Sequence, residues 1–220
     1  DIAWAAGASQ CRPALMCALQ MLRAMGGDLE AMACASWSCV RCELRHPEDE
    51  ASLHMLTEAI EAATSMACAT RGSDVATILW SLASIQVRLS AQALQQLHEA
   101  LRPQLQSLSA GELARAVWAL AAMPPARDPA KSAPAVDTDG ITDGTCAPIP
   151  GTDTASLMAA VWAAVTASAR DFCAEDLANV TWAVARLKPG NGVDILLAAA
   201  EACVGDFSSG ELANLCWAFS

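Results

Sequence analysis

One Trp-centred pattern recurs along the chain and constrains the fold more than any other feature. Residues Leu108-Ser109-Ala110-Gly111-Glu112-Leu113-Ala114-Arg115-Ala116-Val117-Trp118-Ala119-Leu120-Ala121 are matched almost position for position by Phe207-Ser208-Ser209-Gly210-Glu211-Leu212-Ala213-Asn214-Leu215-Cys216-Trp217-Ala218-Phe219. Residues 172–185 around Trp182 and 73–83 around Trp80 follow the same order, and a weaker copy surrounds Trp37. Asp1-Ile2-Ala3 resembles a sixth start, with Gly7 where the Trp would fall. The shared element is an acid, Leu or Val, Ala, three variable residues, Trp, a small residue, an apolar residue and a small residue. Successive Trp are 43, 38, 64 and 35 residues apart. The long interval holds a foreign stretch of about 26 residues, and without it the spacing returns to 38. A period of this length with two helical segments per unit predicts an all-α fold, a right-handed α-α superhelix (solenoid) of stacked helix pairs.

Local signals agree. Ser109 and Ser208 each precede a Glu by three residues, the capping-box spacing. Ser73 and Ser90 are candidate N-caps, and Pro13 suits a first helical turn. Pro47, Pro103 and Lys188-Pro189-Gly190 are expected to close helices. The second helix of each unit is apolar at helical spacing, as in Leu53, Leu56, Ile60 and Ala63, or Leu94, Leu97, Leu101 and Leu105. Residues 124–153 hold six of the ten Pro and five Asp, and read as a flexible acidic insertion. The organisation expected is therefore repeats over 1–123, the insertion over 124–153, and the same solenoid resuming over 154–220.

Composition fits stacked helices. Ala supplies 49 of the 220 residues, while Tyr is absent and only three residues are Phe. The mean hydropathy of +0.31 comes from that alanine. The longest weakly polar run, Ala155 to Ala169, falls short of the roughly twenty residues of a membrane span, so no membrane insertion is expected. The ten Cys lack the regular spacing of a disulfide scaffold, and most sit within apolar helical patterns (Cys34, Cys39, Cys203, Cys216), which points to a reducing compartment. Cys39-x-x-Cys42 with His46 and Cys34 resembles half a zinc site, but without a second Cys pair it reads as helix packing. No phosphate-binding loop, nucleophile elbow or paired-carboxylate motif occurs, so neither an enzyme nor a cofactor is expected. The chain starts without Met and reads as a window on a longer protein.

On a helix advancing about 100° per residue, the apolar positions five and two before and two and five after each Trp form a core stripe. Small residues at −4 and +3 flank the indole, so Trp37, Trp80, Trp118, Trp182 and Trp217 are expected to pack between consecutive repeats. A third stripe joins positions −6, −3, +1 and +4. Position −3 carries Cys34, Thr77, Arg115, Asn179 and Asn214, and position +4 carries Arg41, Ser84, Ala122 and Arg186. Thr77, Arg115, Asn179, Asn214, Arg41 and Arg186 are the candidate RNA-contacting residues. Asn pairs with base edges, and Arg grips a phosphate or stacks on a base. The acids at −6 (Asp74, Glu112, Asp176, Glu211) fall in the first turn, where they complement the helix dipole.

The Leu-Ala-Asn-x-x-Trp-Ala elements at 177–183 and 212–218, and the Glu-Leu-Ala-x-x-x-Trp-Ala element at 112–119, resemble the octotricopeptide and heptatricopeptide repeats and the leucine-rich region of FAST-kinase-like proteins. Asn179, Trp182, Asn214 and Trp217 carry the closest match. The resemblance implies a mitochondrial-matrix or plastid-stroma protein that binds single-stranded mRNA or rRNA on a concave face. The implied roles are RNA processing, mRNA stability, translation or ribosome assembly. The C-terminal RAP domain common in that family is not in this sequence, so no nuclease activity is assigned. A net charge of −11 with 13 basic residues favours the alternative of a protein–protein scaffold, such as a structural subunit of an organellar ribosome or other ribonucleoprotein.

Overall fold

The structure, a computed structural model, describes residues 11–44, 49–66, 70–124, 126, 154–187 and 193–219. These residues form helices α1 (Arg12–Met25), α2 (Leu29–Arg41), α3 (Glu50–Met66), α4 (Gly72–Ser84), α5 (Ala91–Leu101), α6 (Ala110–Ala122), α7 (Thr154–Ser168), α8 (Ala174–Leu187), α9 (Val193–Ala202) and α10 (Ser209–Ala218). Short 3-10 segments follow α5 (Arg102–Ser107) and α9 (Val204–Asp206), and no strand occurs among the described residues. The fold is all-α. No described helix is long and apolar enough to cross a membrane.

The even-numbered helices carry the Trp pattern and form one row, each packed on the next from α2 through α4, α6 and α8 to α10. The odd-numbered helices back this row. Helix α1 touches α3, α3 touches α5, the 3-10 segment after α5 touches α7, and α9 packs on α8. Helix α6 meets α8 as directly as α4 meets α6, although 64 residues separate Trp118 from Trp182. Apart from Pro124 and Ala126, the expected insertion lies outside the described residues, as do Gly7, His46, Pro47 and residues 188–190.

The helix starts follow from local chemistry. Asp28 accepts from the Ala31 amide at 2.9 Å and Ser90 from the Ala93 amide at 3.3 Å. Both expected capping boxes form, with Glu112 accepting from the Ser109 amide at 2.9 Å and Glu211 from the Ser208 amide at 2.6 Å. Ser73 is not a cap. Helix α4 begins one residue earlier, at Gly72, whose amide donates to the Gln104 Oε1 at 2.7 Å. Only glycine permits that approach, because a Cβ there would stand 2.9 Å from the Gln104 Cβ. The Gln104 amide in turn donates to the carbonyls of Thr70 at 2.8 Å and Ala100 at 3.0 Å. One side chain thus ties the entry to α4 to the 3-10 segment. Pro103 does not end the helical path outright. The chain tightens into that 3-10 segment, which keeps Leu105 buried.

Two helix ends share a left-handed closure that the sequence does not advertise, since neither uses glycine. Glu43 and Gln86 hold φ of 53° and 57°. Leu44 then donates to the Cys39 carbonyl at 3.1 Å and Val87 to the Leu82 carbonyl at 3.0 Å, burying both apolar side chains. Helix α6 ends differently. Met123 is extended (φ −60°, ψ 130°) because Pro124 disfavours a helical conformation in the residue before it.

Candidate functional site

Pattern helices α4, α6 and α8 bury three sides and leave one open. Leu113, Ala116 and Leu120 of α6 lie in the core, as do Leu177, Val180 and Val184 of α8, which matches the expected apolar stripe at −5, −2 and +2. The small residues at −4 (Ala33, Ala76, Ala114, Ala178) are also buried. Their lack of bulk lets neighbouring helices approach closely. The expected third stripe divides. Position +1 (Ser38, Ser81, Ala119, Ala183) is buried, and on α4, α6 and α8 a like helix on either side covers both flanks. Positions −3 and +4 face outward: Arg41, Ser84, Arg115 and Asn214 are exposed, and Cys34, Thr77, Ala122, Asn179 and Arg186 are half-buried.

The Trp side chains lie between these two positions on the same open side. Trp37, Trp80, Trp118 and Trp182 are half-buried and Trp217 is exposed. Trp118 and Trp182 stack with ring centroids 6.3 Å apart and planes 29° from parallel, and Trp182 and Trp217 are 6.4 Å apart at 36°. Trp118, Trp182 and Trp217 therefore bridge consecutive repeats and at the same time border the open face. The Arg41 guanidinium carbon stands 5.8 Å from the Trp37 ring centroid, and that of Arg186 stands 5.0 Å from Trp182. Both separations are within cation–π range. Arg186 Nε is buried without a hydrogen-bond partner. Arg115 donates from Nε to the Gly111 carbonyl of its own helix at 3.3 Å, and the Thr77 hydroxyl donates to the Ser73 carbonyl at 2.8 Å. The sequence spacing located −3 and +4 but could not show that the Trp join them. The relevant signal, the covering of both helix flanks, depends on packing.

The acids at −6 are engaged at the helix starts. Hydrogen bonds from the Ser109 hydroxyl and amide hold the Glu112 carboxyl below its ordinary value. Burial raises that of Asp74 and outweighs its pairing with Arg71 at 3.2 Å. Asp176 accepts from the Cys173 thiol at 3.2 Å. No acid occupies −3 or 0 in the five copies, or +4 in the four copies that include it, the positions that form the open strip.

The partial zinc pattern does not share one continuous helix. Helix α2 ends at Arg41 and Cys42 is its C-cap. Burial, helped by neighbouring Cys42 and Asp49, pushes the Cys39 thiol up to about 12, so it stays protonated. Among the described residues no group of three His, Cys, Asp or Glu is placed to hold a metal. Cys216, which sits within an apolar helical pattern, is exposed. No family model matches the chain, and comparison with curated proteins and with solved structures returns no match.

Proposed function

We propose that the chain binds single-stranded RNA along the open face of the Trp-bearing helices, as part of RNA processing, stability, translation or ribosome assembly in a mitochondrion or plastid. The observation that carries this reading is the strip itself. It is free of acids, bordered by aromatic rings in an inter-repeat ladder, and furnished with Arg41, Arg115 and Arg186 beside Asn179 and Asn214. Exposed indole edges and Arg planes suit unstacked bases and phosphates. Asn offers a paired donor and acceptor to a base edge. The organellar setting is supported by the resemblance of residues 177–183 and 212–218 to repeats of that class.

A protein–protein scaffold is the second reading, favoured by the net charge of −11. Fluorescence anisotropy with a labelled oligouridylate and a mixed-sequence RNA separates the two. Replacing Arg186 or Asn179 with Ala is expected to weaken binding by roughly 5- to 150-fold, the equivalent of about 1–3 kcal/mol for a lost base contact. Affinity unchanged by Arg115→Ala, Asn179→Ala and Arg186→Ala would dispose of the strip as an RNA site.

A further inference from the structure

Helix α10 differs from the four helices it repeats in one respect: no described helix follows it in the row. On each pattern helix the residues at −5, −4 and −1 form the flank toward the next. On α4 these are Val75, Ala76 and Leu79, on α6 Leu113, Ala114 and Val117, and on α8 Leu177, Ala178 and Thr181, none more than 2% exposed. On α10 the same positions are Leu212, Ala213 and Cys216, and all three are exposed. Leu212 is 39% exposed and Phe219, the +2 residue, 37%, whereas Leu82, Leu120 and Val184 at +2 are buried. Exposure continues onto α9 and the turn after it, at Ile195, Leu197 and Val204. Large apolar side chains are thus exposed on both helices of the last described pair.

The rest of the molecule shows what covers such a face. Four times within one chain, the flank of one pattern helix is closed by another pattern helix, and twice the Trp rings then meet at 6.3–6.4 Å. A smaller feature repeats as well. Gly111, seven residues before Trp118, lies against the next helix's acid: a Cβ placed there would stand 4.0 Å from the Asp176 carboxylate oxygens. Gly210 holds the same position on α10 and has nothing within 4 Å. The space beside Gly210 is open.

We propose that the α9–α10 end face docks a further helix pair of the chain's own pattern, its Trp helix lying along α10 as α10 lies along α8. The occupant then carries Ala at −4, an acid at −6 that settles beside Gly210, and a Trp that meets Trp217. Continuity with the interfaces already formed in the row selects this occupant over a second copy of the chain or a nucleic acid.

The test appends a copy of residues 186–220 directly after Ser220, which sets a new Trp one 35-residue interval beyond Trp217. Amide hydrogen exchange in α10 is then read by mass spectrometry. Docking is expected to slow exchange across residues 209–218 at least tenfold and to bring the appended helices into the same melting transition. Leu212→Glu combined with Phe219→Glu in the receiving helix should abolish both effects. Because these side chains are more than a third exposed, the 220-residue chain keeps its own fold with the same changes. Exchange in α10 that is unaltered by the appended copy would overturn the proposal. So would exchange in the unextended chain that slows with protein concentration, accompanied by a dimer in sedimentation, which would assign the face to a second copy. Protection of α10 by oligouridylate but not by the appended pair would assign it to nucleic acid.

Discussion

His98 gives the sharpest stability prediction. It lies on α5 at 5% exposure, beside the buried Leu94, Leu97 and Leu101, and its Nδ1 has no hydrogen-bond partner. Burial lowers its pKa from 6.5 to about 4 because the charged imidazolium is costly away from water. In the unfolded chain the same imidazole titrates at its ordinary value. Between the two values the unfolded state therefore binds more protons, so stability is complete above the unfolded value and falls as pH drops toward the folded one. Integrated over that window, the loss is about 2 kcal/mol between roughly pH 7 and pH 5, and about 3 kcal/mol by pH 4. Carboxylates also titrate in this range, so the measurement must be a difference. Urea unfolding of the wild type and of His98→Leu, followed by far-UV circular dichroism from pH 4 to 8, isolates the imidazole because the other groups cancel. The wild type should weaken relative to the variant by about 2 kcal/mol on going from pH 7 to pH 5. Two curves that stay parallel would refute both the burial of His98 and the absence of an acceptor at Nδ1.

Two further substitutions probe the repeat geometry. Glu43→Gly should raise stability by roughly 0.5–1 kcal/mol in urea unfolding, because glycine adopts the left-handed φ without strain. Glu43→Val should lower stability by about 1–2 kcal/mol. Gln86→Gly should gain less, since the Gln86 side chain also donates to the Ala83 carbonyl at 2.6 Å. Ala178→Leu forces a branched side chain into the cluster with Ala200 and Leu215. It should destabilise by about 1–3 kcal/mol and remove the circular-dichroism coupling between Trp182 and Trp217, while Ala178→Gly should cost about 1 kcal/mol. Equal stability of the Leu variant would mean that small residues at −4 do not set the helix spacing.

The layout of the row was legible because it rests on periodicity. A pattern Trp every 35 to 43 residues outside the interval that holds the insertion, the capping boxes at Ser109 and Ser208, and the apolar stripes at Leu53–Ile60 and Leu94–Leu105 all encode themselves locally. What the sequence hid depends on partners remote in the chain. Ser73 looked like a cap, but Gln104, 32 residues away, draws the α4 start back to Gly72. Position +1 falls on the third stripe by its spacing, yet on α4, α6 and α8 the like helices on either side cover it. The placement of the Trp was half legible. Small neighbours announced close helix packing, but whether one edge of each indole also borders solvent follows from the width of the row, which no single helix specifies. His98 falls within the Leu94–Leu97–Leu101 stripe, and its burial accompanies the docking of α5 on α3 and α4.

The net charge changes meaning once the helices are placed. Pattern helices in a row point the same way, so their N-terminal partial positive charges gather along one edge and repel one another. Asp74, Glu112, Asp176 and Glu211 lie along that edge. There the capping boxes tie down Glu112 and Glu211, and Arg71 and the Cys173 thiol engage Asp74 and Asp176. Arg41 and Arg186 fall in the last turns of α2 and α8, where the dipole favours cations. The same rule that stabilises each helix thus sorts charge across the open face, with acids at one border, arginines at the other and uncharged or basic residues between. A chain with a net charge of −11 can therefore carry an acid-free strip without any selection on its total charge. The distribution across that face, not the sum over the chain, is what bears on whether it accepts a polyanion.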